Sequence, residues 1–256
     1  SDVCLKRKVR NRLLEAGQSI FVQSDDNRVD EYRSLRQRAE AELKNYLKDE
    51  VKFREAACKK WIDVRAFGQV FAFKADKKGK GKSDESEETG NDTGVSIGVR
   101  GPVSIHSAFS VAPVSVSSVQ ITKSVSGEGD GSKRGSDTMG MKHRVDHGVY
   151  VFYGSMNPQL ATKTGFSDED ANAIKNSLKA LFENDASSAR PEGSMEVHKV
   201  YWWIHNSRSG QFSSAKVHRT LQVSVKVGVI DPKSIDDYDI VVAKLEGLEP
   251  EVVDGL

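Results

Sequence analysis

Ser167–Leu181, SDEDANAIKNSLKAL, is followed by Val197–His205, VHKVYWWIH, and by Leu221–Val229, LQVSVKVGV. Ser167-Asp168-Glu169-Asp170 has the pattern of a capping box, and Ala171, Ile174, Leu178 and Leu181 recur at helical spacing behind it, so a helix is expected to run to about Asn184. In the third stretch Val223, Val225, Val227 and Val229 alternate strictly with other residues, the period of a strand with one apolar face. A helix succeeded by strands of antiparallel character predicts an α+β fold, a sandwich with one open sheet face.

Upstream, Leu5, Val9, Leu13 and Ala16 predict a helix over Cys4–Ala16 stopped by Gly17, with Lys6, Arg7, Lys8, Arg10 and Arg12 crowding its other faces. Arg28 to about Lys60 reads as a second, highly charged helical region, whose thin apolar stripe of Leu35, Ala39, Leu43 and Leu47 suits a projecting insertion. A turn is expected at Gly68 and a strand over Gln69–Phe73. The run from Asp76 to Gly94, basic and then acidic with no large apolar residue, reads as a mobile loop within about 74–94. Val103, Ile105, Phe109 and Val111 alternate as a half-buried strand, and the Gly/Ser-rich Ser124–Asp137 reads as the tip of a long excursion ending before Val149–Tyr153.

With 256 residues, 37% hydrophobic and 29% charged, the chain is expected to be a soluble domain, in the cytoplasm by default because no signal peptide is evident. No stretch approaches the roughly 20 apolar residues of a membrane span. Only Cys4 and Cys58 are present, which argues against a disulfide framework or a four-ligand zinc site. The net charge of +1 is uneven: residues 236–256 hold seven acids against Lys244, which leaves +7 on residues 1–235 and an acidic C-terminal tail. That balance permits a polyanionic partner without requiring one.

Motifs for chemistry fail on spacing. Gly81-Lys82-Ser83 has Asp76 where a phosphate-binding loop needs glycine, and Gly127, Gly129 and Gly131 are followed by Arg134 where the dinucleotide pattern needs glycine. His143 and His147 lack a third ligand of the right kind nearby. No Gly-x-Ser-x-Gly elbow occurs. What remains is a basic helix and a strand-rich body with Lys123, Lys133, Arg134, Lys142 and Arg144 at the edges of the excursion, residue types that hold phosphates through charge alone.

An ordered series of motifs then resembles one family: Asp2-Val3-Cys4-Leu5-Lys6-Arg7-Lys8-Val9-Arg10, Asp63-Val64-Arg65-Ala66-Phe67-Gly68, Gly101-Pro102-Val103-Ser104-Ile105, Thr138-Met139-Gly140-Met141-Lys142 and His147-Gly148-Val149-Tyr150. The series is similar to the backbone subunit of the type I CRISPR Cascade surveillance complex, subtype C, of the RAMP superfamily, up to about Val229. Members of that family open with a strand and a Gly/Asn-rich turn before the basic helix at which this chain starts. The resemblance implies a modified RNA-recognition-motif (ferredoxin-like) palm over 1–256, with a helical finger at about 24–60 and a β-hairpin thumb at about 120–146. It implies a protein without catalysis, cofactor or metal, copies of which line up along CRISPR RNA and present its spacer to the target DNA strand. Further implied partners are other Cascade subunits: the guide 5′-end-binding, large and small subunits, with no membrane. Mapped by motif, RNA contacts would come from Lys6, Arg7, Arg10, Arg65, Lys123, Met139, Met141, Lys142 and Arg144. A methionine would be the apolar wedge that displaces a base, or else both would pack under the thumb or against a neighbouring subunit. The competing reading is a CRISPR RNA-processing endoribonuclease of the same superfamily that uses His143 or His147 as general acid or base.

Overall fold

Leu5, Val9 and Leu13 lie four residues apart, and in the computed structural model all three are buried on one face of a helix spanning Asp2–Glu15 (α1), opened by Ser1, whose hydroxyl accepts from the Cys4 amide. The structure describes residues 1–73, 95–122 and 139–256. After α1 come α2 Leu35–Glu42, α3 Glu50–Lys60, α4 Ile62–Phe67, β1 Gln69–Phe73, β2 Val95–Val99, β3 Val103–Ile105, β4 Phe109–Ser110, β5 Val116–Thr122, β6 Met139–Val145, β7 Tyr150–Val151, β8 Gly154–Met156, α5 Pro158–Thr164, α6 Asp168–Lys179, β9 Lys199–Trp203, α7 Ser214–His218, β10 Leu221–Val225, β11 Tyr238–Val242 and β12 Pro250–Asp254. The fold is α+β, and each described ladder is an antiparallel pair of strands: β1 with β2, β3 with β8, β4 with β7, β5 with β6, β9 with β12 and β10 with β11.

The chain divides into two compact units. The first comprises 1–107, 153–213 and 246–256. Its core is aromatic: Phe21 meets Trp61 and Phe71 at ring-centroid distances of 4.6 and 5.1 Å, and Phe53 meets Phe71 edge-on at 5.1 Å. Ala39, Leu43, Ala57, Val64 and Ile97 close around these rings. Each large side chain withdrawn from water there contributes about 1.5–3 kcal/mol. The helical region expected over Arg28–Lys60 is therefore two helices that share the main core. The break falls before Asp49, whose carboxylate accepts the Lys52 amide at 3.1 Å and starts α3, and it leaves Leu47 of the expected stripe exposed.

Gly68 turns the chain from α4 into β1 with φ +81°, and a Cβ there would collide with the Val99 carbonyl. The strand expected after it has the predicted limits, Gln69–Phe73. The capping box at Ser167 forms, with its hydroxyl accepting from Asp170 N and its own amide donating to the Asp170 carboxylate, although the helix ends at Lys179 rather than near Asn184. The acidic segment 236–256 is folded into both units. Its β12 pairs with β9, where Lys175 bonds Glu251 at 2.9 Å and Lys199 bonds Asp254.

The second unit comprises 108–152 and 214–245. It holds β10–β11 with Tyr238 buried, the short β4–β7 pair, and the β5–β6 hairpin. One strand was expected to run from Val103 through Val111; two short ones form, and the division between units falls between them at Ser107. The expected loop over Asp76–Gly94 and the excursion tip over Ser124–Asp137 lie outside the described residues. No described helix is long and apolar enough to cross a membrane.

Candidate nucleic-acid interface

The basic residues of α1 divide by environment. Lys8 is 2% exposed: its ammonium pairs with Asp185 and lies 5.0 Å from the centre of the Phe182 ring, and burial, with repulsion from Arg190, pushes it down to about 8. Arg10 donates from Nε to Asp63 at 3.0 Å and stacks over the Phe67 ring at 5.1 Å. Asp63 is itself buried and also accepts the Phe21 and Val22 amides at 2.7 and 3.0 Å, so Arg10 completes a polar knot that fixes the chain at residues 21–22. Lys6 is half-buried and pairs with Asp2 at 3.4 Å, one helical turn away. Arg7 is exposed.

Arg65 is fully engaged as well. Its Nε and Nη2 donate to the two Asp170 oxygens at 2.8 and 2.7 Å, a bidentate fork, while Nη1 donates to the Cys58 carbonyl at 3.3 Å. Burial works against ionisation of Asp170, but the Arg65 fork and the Ser167 amide outweigh it and hold the carboxyl below its ordinary range. The pair joins α4 to the first turn of α6, and it sits in a cleft of about 540 Å³.

The hairpin is the opposite case. Val116 pairs with Val145 and Thr122 with Met139, and every residue of β6 is exposed. In this register Met139, Met141 and His143 share one face with Ser118 and Gln120, whereas Lys142 and Arg144 share the other with Val119 and Ile121. The methionine face carries no lysine, arginine or carboxylate and is internally hydrogen-bonded: Ser118 Oγ lies 2.8 Å from His143 Nδ1, and Gln120 donates to the Met139 sulfur at 2.7 Å. Met139 and Met141 remain 64% and 56% exposed. On the cationic face Arg144 pairs with Asp146 at 2.9 Å, and Ser117, ahead of Arg144, holds the Asp146 carboxyl below its usual range.

Lys123 lies outside the described residues. His147 lies beyond β6, its ring 5.9 Å from that of Tyr238. Sequence reasoning missed Lys8, Asp63 and Asp170 as the buried charges around which the first unit is organised, and it missed the cations of the cleft. For the cleft a signal existed: Val51, Arg54, Glu55, Cys58 and Lys59 recur at 3, 4, 7 and 8 residues, one face of a helix.

The family model of CRISPR-associated protein Cas7 matches residues 1–243. A solved chain described as "CRISPR RNA-guided surveillance complex, pre-nicking" aligns with 88% of this chain at 15% identity and a TM-score of 0.37, and the alignment spans 66% of that chain's length. No curated protein matches.

Proposed function

The chain belongs to the CRISPR-associated Cas7 family, and from that membership we propose that it is a backbone subunit of a type I Cascade complex, of subtype C, binding guide RNA without catalysis of its own. Copies would line up along the CRISPR RNA through shape and charge, leaving sequence recognition to pairing between the spacer and the target DNA strand. The other Cascade subunits are the remaining partners under this reading. Family membership is the observation that carries it.

The two-faced hairpin supports the assignment of β5–β6 as the thumb. An exposed pair of methionines is suited to lie against an unstacked base, since an unbranched thioether adapts its shape to either side of the ring. Lys142 and Arg144, on the reverse face, would meet phosphates rather than the same base. On α1 the phosphate contacts would fall to Arg7 and Lys6, while Arg10 of α1 and Arg65 of α4 act first by holding Asp63 and Asp170.

The test is binding of single-stranded RNA to the purified chain across a salt series, with the RNA examined for cleavage. Tight binding to intact RNA is expected, its affinity falling steeply with salt, and Lys6→Ala/Arg7→Ala should reduce the slope by about 0.7 per contact removed. Specific cleavage lost in His143→Ala would replace this reading with the endoribonuclease.

A further inference from the structure

The cleft of the first unit contains more positive charge than the fold uses. It lies among α3, α4, α5 and the start of α6, and Arg54 and Lys59 from α3 and Lys163 from α5 line it. Among the described residues none of these three makes a hydrogen bond or an ion pair, and all three are exposed. Glu55 is the one acid on the wall. Deeper in, the charges of Arg65 and Asp170 cancel through the bidentate pair, so the surplus sits entirely on the walls.

The lining defines the chemistry of a ligand. Aromatic side chains are absent from it among the described residues, so it offers no aromatic platform for a nucleobase. Thr164 and Ser167 are small and polar, and Val51 is the sole large aliphatic, which leaves no apolar pocket to anchor a peptide side chain. Three long cations around a neutral, polar interior suit a run of negative charges whose spacing need not be rigid. A concave volume of about 540 Å³ admits the sugar-phosphate chain of one strand, whereas a duplex is read by an element that projects into its groove.

We propose that this cleft is a second nucleic-acid contact, in which Arg54, Lys59 and Lys163 hold the phosphodiester backbone of a single strand without reading its sequence. It rests on the premise that the chain meets nucleic acid, but it is separate from the α1 and hairpin contacts. Arg65 here is a positioning residue: through Asp170 it fixes the mouth of α6 against α4, and the strand is gripped by its neighbours. Guide RNA and a DNA strand share the required chemistry.

The experiment uses the full chain with a labelled single-stranded RNA, and a DNA strand of the same sequence, across a salt series. Arg54→Ala/Lys59→Ala/Lys163→Ala removes three exposed charges and should leave the thermal midpoint unchanged. The slope of log affinity against log salt is expected to fall by about 2. Lys59→Glu alone should weaken binding at low salt for strands of unrelated sequence alike. To separate the sources, protein saturated with unlabelled RNA is offered labelled DNA: loss of DNA binding in the triple variant here assigns the cleft to DNA, and loss confined to the RNA series assigns it to the guide.

An unchanged slope in the triple variant, with Lys6→Ala/Arg7→Ala still reducing it, overturns this inference and leaves the proposed function standing. Failure of the unaltered chain to bind either strand overturns both. If the triple variant instead loses only nuclease-resistant self-association, the cleft receives an acidic segment of a second copy, and the inference is wrong.

Discussion

Helix α1 and the β5–β6 hairpin both carry basic residues, but the structure uses them in opposite ways. On α1, Lys8 and Arg10 are drawn inward to Asp185 and Asp63, and the face they occupy is part of the packing. On the hairpin every β6 side chain is exposed, and the strand alternation sorts them into a methionine face and a cationic face. A charge paired inside a folded unit contributes to stability, whereas a charge on an exposed strand contributes little to it. The same substitution should therefore change melting in one region and binding in the other.

The largest effect is expected at Asp63. Asp63→Ala removes the acceptor of two buried amides and the partner of Arg10 together. Leaving these groups unsatisfied costs about 3–5 kcal/mol, on the order of 10 °C in Tm for a chain of this size. Arg10→Ala should lower Tm by a smaller amount, while Arg7→Ala, at an exposed position, should not change it. Equal melting of the Arg7 and Arg10 variants would remove the distinction between the two sides of α1.

Next in size is the Arg65–Asp170 pair. Arg65→Ala is expected to cost about 2–3 kcal/mol, because it strands a partly buried carboxylate. Since Asp170 has its folded pKa below the ordinary carboxyl value, its contribution is fully present above about pH 4 and is lost as pH falls through the lowered value. Thermal midpoints measured from pH 6 downward should thus converge for wild type and Arg65→Ala in acid. A gap that stays constant to the lowest pH would mean that Arg65 stabilises by packing alone.

These buried pairs also explain what the sequence let one see. The capped start of the helix at Ser167, the strand after Gly68 and the first half of the valine alternation from Leu221 are local patterns and form where the local pattern places them, but the helix stops at Lys179 and the strand at Val225, which leaves Val227 and Val229 beyond it. The motif Asp63–Gly68 was legible as a resemblance, but its physical role was not, because Arg10–Asp63 and Gly68–Val99 are contacts between distant segments. The stripe of Leu35, Ala39, Leu43 and Leu47 reads straight through a helix break, since only tertiary packing distinguishes buried Leu43 from exposed Leu47. Charge counting made 236–256 a tail; two of its acids, Glu251 and Asp254, have their partners at Lys175 and Lys199, far away in sequence, and its β11 and β12 complete two ladders. The cations of the cleft come from two helices about a hundred residues apart, so no window of sequence contains the site.

The smallest changes in stability and the sharpest separation in binding are expected on the hairpin. Met139→Ser/Met141→Ser and Lys142→Ala should each shift stability by no more than about 0.5 kcal/mol, since both faces are solvated. If the methionine face meets bases and the opposite face meets phosphates, the two variants fail differently in RNA titrations over a salt series. Loss of the methionines removes apolar contact, so affinity should fall several-fold at every salt concentration with the slope unchanged. Loss of Lys142 removes one counterion-releasing contact, so the slope should fall by about 0.7 and the defect should vanish as salt rises. Parallel curves for both variants would show that the two faces of the ribbon meet the same part of the strand.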